Sequence, residues 1–107
     1  MRKKVYLIAY ELVDPESIKR RKKIGEAIKK FTGLWWHYCD VWLVAGEIKN
    51  SEVLFEKMSA LLKLKDGDET DDSLFVVRVS SRDNQGWLPD SAWNWIKIIV
   101  ESDAKHD

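Results

Sequence analysis

Cysteine is almost missing: Cys39 is the only one in 107 residues. No internal disulfide can form, which excludes a disulfide-stapled secreted scaffold and makes a reducing, cytoplasmic setting the expectation. Long apolar runs are missing too, and no stretch approaches the roughly 20 residues a bilayer-spanning helix needs. The opening MRKKVYLIAYELV pairs a basic end with an apolar run, but Tyr6, Tyr10 and Glu11 interrupt it and no small-residue cleavage site follows. It reads as a strand and not as a signal peptide. There is no internal repeat and no low-complexity linker, so residues 1–107 are expected to form a single domain around one core. No glycine-rich phosphate loop, HExxH helix or G-x-S-x-G turn occurs, which leaves nucleotide hydrolysis, zinc proteolysis and serine-esterase chemistry without support.

An excess of charge of either sign is also lacking, with 18 Lys and Arg against 18 Asp and Glu. The balance hides a division. Residues 1 to 32 carry 10 Lys and Arg against 4 Asp and Glu, and the remainder carries 8 against 14. The basic first third can therefore make a local positive surface that the total does not report.

Aromatic and branched residues are plentiful. Residues 4 to 13 alternate Val5, Leu7 and Ala9 with Tyr6, Ile8, Tyr10 and Leu12, as expected of a central strand covered on both faces. Asp14, Pro15 and Glu16 supply an N-cap, a first-turn proline and an acid for a helix that runs to Thr32, with Gly33 as its stop. At helical spacing Ile24, Ala27, Ile28 and Phe31 share one face, while Lys19, Lys22, Lys23, Glu26, Lys29 and Lys30 occupy the other. Arg20 and Arg21 fall on the flanks of the apolar side and are expected to turn toward the sheet. LWWHY and VWLVAGE read as adjacent strands joined by a tight turn, or broken by a bulge, at Cys39-Asp40. Asn50-Ser51-Glu52 opens a second helix with Leu54, Phe55, Met58, Leu61 and Leu62 as its buried face. KDGDETDD reads as a charged loop, and LFVVRV as the last strand.

The element order, strand, helix, strand, strand, helix, strand, specifies an α+β ferredoxin-like βαββαβ sandwich: a four-stranded antiparallel sheet with both helices on one face. The core is expected over about residues 3–80. The C-terminal extension, about 81–107, is expected to hold a short helix capped by Asp90 or Ser91, with Trp93, Ile96 and Val100 on one side. Whether it covers its own sheet or a neighbour's is open from the sequence.

YLIAYELVDPES, KRRKKIGEAIKKFTG, WWHYCDVWLV and FVVRVS resemble the small bacterial and phage proteins labelled SinR-like, similar in turn to the CRISPR-associated protein 2 superfamily. The likeness spans about residues 4 to 79, with a weaker echo at Trp87 to Trp95. The label carries no implication of transcriptional regulation, since no helix-turn-helix pair is visible. The resemblance implies a ferredoxin-like homodimer associated with RNA or DNA. Where it is catalytic, it implies a magnesium-dependent endoribonuclease in which a carboxylate ending the first strand meets its copy from a second subunit at one Mg²⁺. That position here is Glu11, a departure from the aspartate of those relatives.

The expected catalytic set is Glu11 as metal ligand with Arg20 and Arg21 as charge stabilisers, and Lys19, Lys22, Lys23, Lys29 and Lys30 as the grip on a nucleic-acid backbone. The competing reading is a non-catalytic interaction module, binding nucleic acid or protein as a scaffold or a toxin-antitoxin component, and the change to glutamate favours it. Within LWWHYCDV, Trp35 and His37 share one face and Trp36 and Tyr38 the other, so these aromatics are expected to serve mainly packing or dimerisation. His37 and Cys39 lack a second ligand pair, so no zinc site is expected, and no organic cofactor. DGDETDD lacks the glycine placement and distal glutamate of an EF-hand.

Overall fold

A computed structural model describes residues 4–13, 17–62, 72–79 and 85–101. Its elements are β1 (Lys4–Glu11), α1 (Ser17–Phe31), β2 (Leu34–Tyr38), β3 (Val41–Gly46), α2 (Ser51–Leu62), β4 (Ser73–Arg78) and α3 (Asp90–Trp95), the last continued by a π-helical segment, Ile96–Val100. The four strands form one antiparallel sheet in the order β2-β3-β1-β4. This is the ferredoxin-like arrangement expected from the element order. Because β3 lies between β1 and β2, and β1 between β3 and β4, each helix connects two strands that are not neighbours, which leaves both helices packed over the sheet.

The alternation along β1 separates two apolar clusters. Tyr6, Ile8 and Tyr10 meet Ile24 and Ile28 of α1, Leu54 and Met58 of α2, and Trp42 and Val44 of β3. Val5, on the opposite face, joins Ala45, Ile96 and Val100, with Leu34, Leu43 and Trp93 packed beside them. The C-terminal helix thus covers part of its own sheet, and the Trp36 indole donates to the Ser91 hydroxyl at 3.4 Å. Phe75 and Val77 of β4 stay exposed. The helix therefore covers the side of the sheet away from β4.

Local chemistry explains most of the boundaries. The amide and hydroxyl of Thr32 both donate to the Ile28 carbonyl, at 3.0 and 2.7 Å, and the Gly33 amide then donates to Ala45 in β3. The end of α1 passes directly into sheet pairing. Asn50 caps α2 by accepting the Val53 amide at 2.9 Å. Cys39 and Asp40 form a two-residue turn with Tyr38 opposite Val41. Cys39 sits at φ 48, a left-handed conformation uncommon outside glycine.

Three expectations change in detail. Phe55 is 43% exposed, because it lies one residue off the line Leu54–Met58–Leu61 that meets the sheet. Pro89 occupies the cap of α3, with no side-chain cap bond, so Asp90 falls inside the first turn. After Trp95 the helix widens, and the Glu101 amide reaches back to the Ile96 carbonyl, the i→i+5 pattern of a π-turn. The expected cap at 14–16, most of the acidic loop, and the side chains of Phe31 and Leu62 lie outside the described residues.

Candidate functional site

The lysines expected on the outer face of α1 are all there: Lys19, Lys22, Lys23, Lys29 and Lys30 are exposed, with Glu26 the single acid among them. Ile24 and Ile28 on the other side are buried, so packing of this apolar stripe fixes which way the cations point. Lys29 is held over β2, its ammonium 4.5 Å from the centre of the Trp35 ring, a cation–π contact.

The two arginines turn inward, as their flanking positions suggested, and each meets an aspartate. The Arg20 guanidinium donates to Asp72 at 2.8 Å. Asp72 is the last residue of the acidic loop segment, its side chain is 5% accessible, and it also accepts the Val13 amide at 3.0 Å. Arg21 Nε lies 3.0 and 2.9 Å from the two carboxylate oxygens of Asp40. These pairs tie the start of α1 to the β2–β3 turn on one side and to the approach of β4 on the other.

Glu11 sits elsewhere. It is exposed at the end of β1 opposite Ser73, and alternation places it on the face of Leu7 and Ala9, away from α1. One chain therefore does not gather Glu11, Arg20 and Arg21 at one point. No group of three His, Cys, Asp or Glu side chains suited to a metal ion occurs among the described residues.

What the fold does assemble is a groove of about 570 Å³ lined by Tyr10, Arg21, Lys22, His37, Cys39, Asp40 and Trp42. The two-residue turn places His37 directly opposite Trp42, and their rings stack at 4.0 Å with an 11° tilt. Trp35 lies 5.9 Å from His37 and 5.7 Å from Trp42. The Trp42 indole donates to the Tyr10 hydroxyl at 3.2 Å. The sequence marks Trp35, His37 and Cys39 as stacking or ligand candidates, Asp40 and Trp42 only as part of the WWHYCDVWLV resemblance, and Tyr10 only as a strand residue. The pairing of His37 with Trp42 was recoverable by counting outward from a two-residue turn. The approach of Arg21 to Asp40 was not, because it depends on where α1 lies over the sheet.

Burial pushes the Tyr10 phenol above the ordinary tyrosine value and the Asp40 carboxylate adds to this, against opposing effects of the Trp42 hydrogen bond and Arg21. The folded chain keeps this proton where the unfolded chain has lost it. The associated stability is complete below about pH 10 and is lost as pH rises through the raised folded value. Tyr10→Phe is expected to cost about 1 kcal/mol at neutral pH, through the lost acceptor for Trp42, and to show a smaller alkaline decline in urea midpoint than the unsubstituted chain. Equal alkaline declines in the two proteins would remove Tyr10 as the cause.

No helix among the described residues is long and apolar enough to cross a membrane. Comparison of the chain with protein-family models, with curated proteins and with solved structures found no match.

Proposed function

We propose that this protein is a non-catalytic nucleic-acid-binding module that holds a phosphate backbone along α1. One observation carries the reading: five lysines are exposed on one helix face, with a single acid among them. A surface that neutralises phosphates releases condensed counterions, so binding is expected to weaken steeply with salt. The two arginines have aspartate partners in the fold, and they act here as braces that fix the helix presenting the lysines. Strand alternation puts Glu11 on the face of β1 away from α1, which supports binding over metal-assisted cleavage. A homodimer, as the resemblance implies, would present two such helices.

The test is anisotropy of labelled RNA and DNA, single-stranded and duplex, across a salt series. Replacing Lys19, Lys22 and Lys23 together by glutamine is expected to weaken binding and to reduce the slope of log affinity against log salt by about 2 to 3, given roughly 0.7 to 0.9 per phosphate contact. An unchanged slope would show that the lysine face is not the contact. The same samples with magnesium test for chemistry: cleavage that needs both magnesium and Glu11 would replace this reading with that of a metal nuclease.

A further inference from the structure

We propose that the groove between the start of α1 and the β2–β3 hairpin seats an unstacked base, so that the ligand of this module is a single strand and not a duplex. The inference rests on the reading of α1 as a backbone-binding surface and adds what the bases do. The geometry places cations and rings side by side. Lys22 lines the groove beside His37 and Trp42, and Lys29 stands over Trp35. Lys22 and Lys29 are about 10 Å apart along the helix at 1.5 Å per residue. Trp35 and His37 are about 6.5 Å apart along the strand. A strand whose phosphates follow the lysines would bring its bases over β2.

The chemistry suits a base better than other occupants. His37 is exposed although its ring is stacked on Trp42, and Trp35 is 39% exposed beside it. These are partly open π surfaces on the edge strand β2, with the Lys29 ammonium of α1 over Trp35. Tyr10 and Asp40 also line the groove, the hydroxyl held by Trp42 and the carboxylate by Arg21. Its volume, about 570 Å³, falls in the range of small-molecule sites. Flat rings flanked by cations are how sequence-tolerant binders hold single strands, stacking the bases while the positive groove follows the backbone. A duplex keeps its bases paired and stacked, and offers no free base face to this platform.

The experiment is anisotropy titration of short single-stranded RNA, single-stranded DNA and the matched duplexes with the full chain and its His37→Ala, Trp35→Ala and His37→Tyr variants, after thermal melts have shown each variant folded. Single strands are expected to bind roughly tenfold or more tightly than duplexes, and each alanine variant to lose roughly fivefold or more in single-strand affinity. The salt slope should stay unchanged, because no phosphate contact is removed. His37→Tyr keeps a ring and should restore binding. The RNA and DNA arms show which sugar the site accepts. Equal affinity for duplex and single strand, an alanine variant without effect, or a loss that tyrosine does not restore would each overturn the base-seating proposal. In those cases a salt slope that the lysine substitutions still reduce leaves the backbone reading standing. Absence of salt-dependent binding to every nucleic acid would remove both.

Discussion

Trp42→Ala is expected to be the most damaging single substitution on the helix side of the sheet, lowering the unfolding free energy by about 3 to 5 kcal/mol. The indole is 3% exposed and lies between three elements. It stacks on His37 of β2, donates to Tyr10 of β1, and packs so close to α1 that a Cβ on Gly25 would stand 3.3 Å from its ring. Alanine would leave a cavity under the helix that a rigid sheet cannot collapse to fill, and a buried phenol without its donor. A domain of this size has about 5 to 15 kcal/mol of stability in total, so the melting temperature should fall by more than about 10 °C. Trp42→Phe keeps a ring and should cost less. Urea unfolding followed by circular dichroism measures both, and a loss below about 1 kcal/mol for alanine would show that α1 is held mainly by its other contacts.

The contacts of this one indole join neighbours that residue order reveals and neighbours that it does not. Period-two alternation placed Tyr6, Ile8 and Tyr10 on one face of β1 and Val5 on the other, and the structure puts them in two different clusters. The helical period separated Ile24 and Ile28 from the lysines for the same reason: side-chain direction is a local property of the backbone. Phe55 was misplaced because a five-residue apolar set is wider than the stripe that actually meets the sheet, and periodicity cannot tell the centre of a stripe from its edge. The ion pairs Arg20–Asp72 and Arg21–Asp40 join residues 52 and 19 apart, and no local rule reports such contacts. This is why the groove was visible only in part. Its His37 and Trp42 rings lie in one hairpin, whereas Tyr10 comes from β1 and its cations from a helix whose position over that hairpin is a tertiary result.

The inward arginines and the outward lysines also divide the basic charge of α1 into two kinds. A guanidinium bonded to a carboxylate at the helix flank fixes orientation, while an exposed ammonium on a flexible stem is offered to solvent and ligand. Formal charge counts the two alike. The counted excess in the first third of the chain therefore overstates the cations offered to a ligand.

Ile96→Asp is expected to release the C-terminal helix from the sheet without unfolding the rest. Ile96 is buried in a cluster with Val5, Ala45 and Val100, where a carboxylate would lose its hydration among apolar side chains at a cost of several kcal/mol if it stayed docked. Undocking avoids that cost. The helix and its π-helical continuation together span only 11 residues, shorter than an isolated helix can sustain in water, so once released they should melt. The helix-side cluster draws on β1, β3, α1 and α2 and on none of these residues, so the sheet should survive with Val5, Leu34, Leu43 and Ala45 uncovered. Hydrogen exchange should show amides of residues 90–101 losing protection while those of β1 and β3 keep theirs, and the exposed apolar face should promote self-association. A single cooperative loss of protection across the whole chain would instead mean that the C-terminal helix is part of the folding unit, and that the two faces of the sheet stand or fall together.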